Sequence, residues 1–409
     1  MSRRAWVLLS ALVLIGGLEI VSWSAWRHTP RTHGNTDQSE ATKQTGAAER
    51  TKGNASSGDA VEARAADPPA EDARTVSDED RLETLARATV WQPPTTPISR
   101  AWLGADRDAP KDLSCRFKLT ELGGTTPKFD CVLDTGETIR IKYGNGPEIP
   151  AEAAATRLLS ALGFGADRIT VIEHLRCWGC PAEPFSTMRA VEVARAEPLY
   201  KRVIDYSDAR DFAWVALERK FDARPIDTEA VEGWAFFELD RVRADKGGAP
   251  RAHVDALRLM AAFLAHWDNK PENQRLVCLT RDWLEGTPCP KPFLLIQDAG
   301  ATFGPSKVDL ADWERSAIWG DRAKCTVSLR HLPYDGATFG DVTITESGRR
   351  HLGGLLRQLS DQQIADLFSG ARFDKKHGLF NGAHPIAEWV RAFNGRVRMI
   401  TDGPPCPAA

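Results

Sequence analysis

The sequence has no surplus of basic charge: 53 Lys and Arg stand against 56 Asp and Glu, a net charge of -3. Nothing therefore argues for a nucleic-acid partner, which needs a basic surface to meet phosphates. No internal repeat is visible, which excludes a repeat array. Large apolar side chains are almost missing between His28 and Leu82. Such a stretch cannot bury enough surface to offset its ordering entropy, so residues 28–97 are expected to be a disordered linker. Within its end, Asp78 to Trp91 has Leu82, Leu85 and Ala86 spaced for one face of a short helix. No cysteine lies near residue 20, which excludes a lipoprotein anchor.

What is present begins with an export signal. Arg3 and Arg4 precede an apolar run from Ala5 to Leu18, and after Glu19 it resumes from Ile20 to Trp26. As one segment, residues 5–26 are long enough to span a bilayer, with the arginines holding the N-terminus inside. The competing reading is a cleaved signal peptide with Ala5 to Leu18 as its apolar core. Both place the remainder outside the cytoplasm, in the periplasm or at the cell surface if the host is bacterial, and the single anchor is favoured. Eight cysteines then become candidates for disulfides. Cys177-Trp178-Gly179-Cys180 invites a redox reading, but no βαβ pattern surrounds it and no second C-x-x-C completes a zinc site, so structural disulfides are favoured.

Ala252 to Ala265 has Leu257, Met260, Ala261, Phe263 and Leu264 at helical spacing, and the loop after it reads His266-Trp267-Asp268-Asn269-Lys270-Pro271-Glu272-Asn273. Asp268 and Lys270, two apart on an extended loop, can face one phosphoryl group. Asn273, a short turn later, can reach a metal bridging phosphates. Downstream, Phe293-Leu294-Leu295-Ile296 reads as a short buried strand running into Asp298-Ala299-Gly300. Between Asn273 and Asp298 lie 24 residues, 274–297, in which Cys278 and Cys289 bracket a hairpin insertion expected to be stapled by a disulfide.

The loop H-x-D-x-K-P-E-N and the following D-x-G resemble the catalytic loop and metal-binding motif of the protein-kinase-like superfamily, with Ala299 where that family has Phe. Gly123-Gly124-Thr125-Thr126-Pro127-Lys128-Phe129 and H-x-D-N-K-P-E-N-Q also resemble motifs shared by a family of bacterial proteins. The resemblance spans about residues 113 to 375, by eye. It implies an α+β, two-lobed kinase-like fold over 98–402, preceded by the signal or anchor (1–27) and the linker. The small, mainly β lobe covers about 113–221 and the larger, mainly α lobe 222–402.

The resemblance also implies roles. Asp268 would accept the proton of a hydroxyl acceptor, and Lys270 would balance charge on the transferred phosphoryl group. Asn273 and Asp298 would hold Mg²⁺ or Mn²⁺, and Lys142 would contact the phosphates of ATP. Glu152, in a helix expected from Pro150 to Leu162, would fix Lys142, with Glu148 as the fallback. Gly123 and Gly124 would let the backbone approach phosphates, although the loop is not G-x-G-x-x-G. Strands are expected at 115–119, 131–133, 138–143 and 169–173, with a hairpin turn at 134–137. Residues 213–221 would form the strand leading to the hinge between lobes. Helices are expected over 348–368 and 385–393, with Ser360 and Gln363 as a capping box. No A-P-E follows Asp298, a departure from the family at the segment where it builds its peptide-docking platform. The implied function is transfer of a γ-phosphoryl group from ATP to an acceptor, whether protein, sugar, lipid or small molecule. The alternative is a tethered binding or scaffold module without turnover.

Overall fold

The structure, a computed structural model, describes residues 74–280, 283, 288–332, 337–378 and 382–408. The expected membrane segment at 5–26 and most of the linker lie outside them. No helix among the described residues is long and apolar enough to cross a membrane.

In chain order the strands that frame the site are β1 (Arg74–Thr75), β2 (Asp112–Lys118), β3 (Lys128–Leu133), β4 (Thr138–Lys142) and β5 (Gly165–Ala166). They are followed by β6 (Arg168–Trp178), β7 (Ala209–Arg219), β8 (Arg224–Asp227), β9 (Gln274–Cys278) and β10 (Pro292–Ile296). Strands β2-β3-β4-β7-β6 close into a barrel, and β1-β8-β9-β10-β5 form a second sheet. The β3–β4 hairpin turns at 134–137, where Leu133 N–H donates to Glu137 O at 2.9 Å. β6 is longer than the 169–173 expected, because it pairs with β7 from Arg168↔Arg219 to Trp178↔Ala209.

Two cores result. One fills the barrel with Phe117, Phe129, Ile141, Leu175 and Val215. The larger gathers the helices around Phe263, Trp313, Phe368 and Trp389. Helix Glu148–Ala161, which begins before the expected Pro150, packs its alanines and leucines into the larger core while Glu152, in its second turn, reaches Lys142 of β4.

The end of the expected linker, from residue 74 on, is folded against the rest of the described chain. Helix Asp78–Ala86 is capped by Ser77, whose hydroxyl accepts Asp80 N–H at 3.1 Å. It stops at Ala86 rather than continuing to Trp91. Thr89 N–H then donates to Pro292 O at 2.9 Å, and the Trp91 indole donates to Leu162 O at 2.7 Å. Composition failed here because Leu85 and Val90, both fully buried, use a core supplied by distant residues.

The helix expected over 348–368 is two helices, Glu346–Leu356 and Asp361–Gly370. Ser360 caps the second with Gln363 in a reciprocal box. The last helix runs on from 393 to Thr401.

All eight cysteines are paired: Cys115–Cys131, Cys177–Cys180, Cys278–Cys289 and Cys325–Cys406. The third is the staple expected across the insertion, whose tip residues 281–282 and 284–287 lie outside the described residues. Four disulfides and no unpaired thiol fit an oxidising, extracytoplasmic compartment.

Candidate functional site

Lys142 is the last residue of β4, and only 3% of it is exposed. Its Nζ lies 2.7 Å from both Glu152 carboxylate oxygens and 3.2 Å from Glu218 Oε2. Burial alone would lower the ammonium's pKa, but the Glu152, Glu218 and Asp298 carboxylates outweigh it and hold the pKa well above the usual lysine value. Burial pushes the Glu152 carboxyl up, with the Asp298 and Glu218 charges adding to the rise, while Lys142 pulls it back down. For Glu218, Lys142 and Lys220 overcome burial and hold the carboxyl far below the usual range.

β10 delivers Asp298. Its four apolar residues are buried, and the next turn is stitched to Asn273, whose backbone carbonyl accepts the N–H of Gln297 (2.9 Å) and of Asp298 (3.0 Å). Burial would raise the Asp298 carboxyl, but Lys142 and the N–H of Gly300, 3.0 Å away, keep it ionised. Gly300 must lack a side chain, since a Cβ there would sit 2.4 Å from Glu148 Cγ.

The loop at 266–273 leaves helix Arg251–Leu264 through Ala265, which adopts φ 55°. His266 N–H reaches back to Ala261 O at 2.9 Å, the bond that closes a Schellman turn and aims the loop. Asn269, fully buried, holds the loop's shape. Its amide donates to His266 O at 3.0 Å, and its Oδ1 accepts the N–H of Thr338 (2.7 Å) and Phe339 (3.0 Å). Asp268 and Lys270 are partly exposed, with Lys270 Nζ 3.9 Å from Asp268 Oδ1. Asn273 Nδ2 donates to Asp268 O at 2.6 Å, which leaves Oδ1 as its outward ligand atom. Asp298 and Asn273 thus offer hard oxygens on adjoining backbone, a donor set that fits Mg²⁺ or Mn²⁺ completed by water and phosphate oxygens.

The glycine segment lies beside this turn. Gly124 adopts φ +72°, which favours glycine, and open space surrounds the Cα of Gly123. Thr126 Oγ1 donates to Glu148, and Glu148 also pairs with Lys307 from the stretch after Asp298. Glu148, the fallback partner of Lys142, therefore ties loop to loop instead.

Two residues not singled out from the sequence join the cluster. Lys128 stands directly opposite Lys142 across the β3–β4 pair, so both side chains leave the same face. Burial, then Lys142 and Arg140, depress its ammonium, while Asp298 and Glu218 hold it up. The turn at 134–137 already implies this pairing, so the register was the available signal. Glu218 is the second carboxylate on Lys142. It sits at a strand end followed by Arg219 and Lys220, so no local pattern in the sequence marks it as buried.

No protein-family model matches the chain, and none of the curated proteins matches it either. Some solved structures are similar in shape. One is the crystal structure of a Helicobacter pylori proinflammatory kinase, CtkA, at 10% identity and a TM-score of 0.38, covering 69% of this chain and 92% of that one. So loose a likeness carries no weight for the site.

Proposed function

We propose that the chain is an ATP- and divalent-metal-dependent phosphotransferase of kinase-like architecture, moving a γ-phosphoryl group to a hydroxyl acceptor outside the cytoplasm. The observation that carries this reading is the Lys142–Glu152 contact at 2.7 Å together with Asp298, whose charge bears on Lys142. A buried strand lysine fixed by a helix carboxylate, next to a buried aspartate after a strand, is the set a phosphate-positioning site needs. The barrel, the helix behind it and the larger helical part support the two-lobed assignment.

In this reading Lys142 and Lys128 bind phosphate oxygens from one sheet face, and the Gly123-Gly124 backbone covers them. Asp298 and Asn273 hold the metal, which when bound supplies charge neutralisation to the phosphates. Asp268, whose Oδ1 accepts no hydrogen bond among the described residues, orients the acceptor hydroxyl and takes its proton. Lys270, beside it, balances charge on the group being transferred. Catalysis of this kind is almost wholly positioning and electrostatics.

A second reading is a binding module without turnover, favoured by Ala299, which is fully buried where the resembled family places a bulky Phe. Calorimetric titration of ATP with Mg²⁺, then Mn²⁺, into the disulfide-intact chain tests the first. Metal-dependent binding is expected, and Asp298→Ala should abolish it with circular dichroism unchanged. A folded wild type that binds no ATP overturns the nucleotide site. Binding without phosphoryl transfer to any hydroxyl or to water leaves the module.

A further inference from the structure

A cavity of about 650 Å³ opens on the side of helix Glu148–Ala161 lined by Arg157 and Ser160, between the segment at 94–106 and the start of β6. None of the residues of the candidate site lines it. Its volume is within the range of small-molecule sites, which combine apolar walls with a few placed polar groups.

Arg157 projects from the helix into this space. Its single hydrogen bond is a long one, 3.4 Å from Nη1 to Leu103 O, and no carboxylate pairs with it among the described residues. Burial pulls its guanidinium down to about 10, still charged at neutral pH. The other cations that line the cavity are paired. Arg168 pairs with Asp106, Arg219 with Glu137 at 2.7 Å, and Lys220 with Asp167 at 3.1 Å. One fork of donors is therefore left for one negative charge. A dianion would also face the carboxylates of Asp106, Asp167 and Asp222.

The lining also includes an aromatic ring held in place, that of Trp102. Trp102 is 45% exposed, yet its indole donates to Ala105 O at 2.7 Å and Arg107 stacks on its ring at 3.7 Å. Gly104 permits this posture, because a Cβ there would fall 2.4 Å from the ring. These contacts hold the exposed ring in one orientation, which lowers the ordering cost for anything that packs against it. Phe221, Ile169 and Pro94 extend the apolar lining.

We propose that this cavity binds a small organic monoanion: a carboxylate, held by the Arg157 fork, on a flat apolar body lying against Trp102. Planar guanidinium and carboxylate match in a bidentate charge-assisted pair, and the cavity is too large for a bare inorganic ion to fill. The proposal is independent of any nucleotide chemistry.

The test is calorimetry and thermal shift on the full chain without ATP or metal, using benzoate, neutral benzyl alcohol and inorganic phosphate. Benzoate is expected to bind saturably and raise Tm, with the other two at least tenfold weaker. Arg157→Met is expected to weaken benzoate at least tenfold, and Arg157→Lys, which keeps charge but not the fork, by less. Trp102→Ala, on the exposed rim, is expected to weaken benzoate while leaving phosphate unchanged, and it serves as the test if Arg157→Met does not fold. No saturable benzoate binding, equal binding by folded Arg157→Met, equal binding by Trp102→Ala, or phosphate binding as tightly as benzoate would each overturn the proposal.

Discussion

Lys142 is removed from water, and an ammonium keeps its charge there only because Glu152 and Glu218 reach it at 2.7 and 3.2 Å. The same arithmetic makes the carboxylates depend on the lysine. Lys142→Met keeps most of the volume but strands the buried Glu152, while Glu218 keeps Lys220 as a partner. Removing one partner of a buried pair destabilises by about 3–5 kcal/mol, more than the pair itself contributes. We expect a loss of that size in urea unfolding, and partial recovery when Glu152→Gln is added. A Lys142→Met protein as stable as wild type would mean these charges are not buried together.

The residue scale also shows where sequence reasoning stops. Lys142 and Glu152 were legible because strand alternation and helix onset are local, and each residue sits at a position its own element dictates. Lys128 was legible in principle through the hairpin register. Glu218 was not, since what makes it a buried partner is β4 pairing with β7 across 76 residues, Lys142 to Glu218. Beside Arg219 and Lys220, nothing local distinguishes it from a solvated charge.

Among elements, the contact with most bearing on the site is Glu148, at the first turn of its helix, touching Thr126 on one side and Lys307 on the other. One side chain thus holds the glycine segment against the stretch after Asp298. We expect Glu148→Ala to release that segment. Hydrogen bonds involving a charged group contribute about 1.5–3 kcal/mol, so amides 123–126 and 128 should exchange roughly ten- to hundredfold faster. Amides of Ala153 to Leu159, within the buried helix, should not change. Unaltered exchange at 123–128 would show that the loop is held by other contacts. Elements were legible to unequal degrees for a related reason. The capping box at Ser360 marks a helix start chemically, whereas the gap at Leu356–Ser360 falls inside a continuous apolar spacing, with Leu355, Leu356 and Leu359 all buried. Periodicity alone joins what the cap divides.

Across the whole molecule, the C-terminal tail is fastened twice. Cys325–Cys406 closes a separation of 81 residues, the longest of the four. In the chain-entropy account such a loop is worth about 4.5 kcal/mol, against about 2.8 kcal/mol for the staple at Cys278–Cys289. Beside it, Glu346 accepts Arg349 Nε and Nη2 at 2.7 Å, Arg350 Nε at 2.8 Å and Cys406 N–H at 2.9 Å. The Arg349 hydrogen bonds lead in holding its carboxyl at about 2, below the ordinary 4.5, with the Cys406 N–H and Arg350 adding. A depressed carboxyl contributes stability that is fully present above its unfolded value and is lost as pH falls through its folded value. Glu346→Gln should therefore lower Tm at pH 7 by an amount that stays constant down to about pH 5 and disappears near pH 2. With the disulfide intact the tail cannot leave in either protein, so the comparison isolates the charge. Thermal unfolding of both proteins from pH 7 to pH 2 measures it. A gap that persists undiminished at pH 2 would place the contribution in packing, and no gap at pH 7 would show that solvent screens the cluster to nothing.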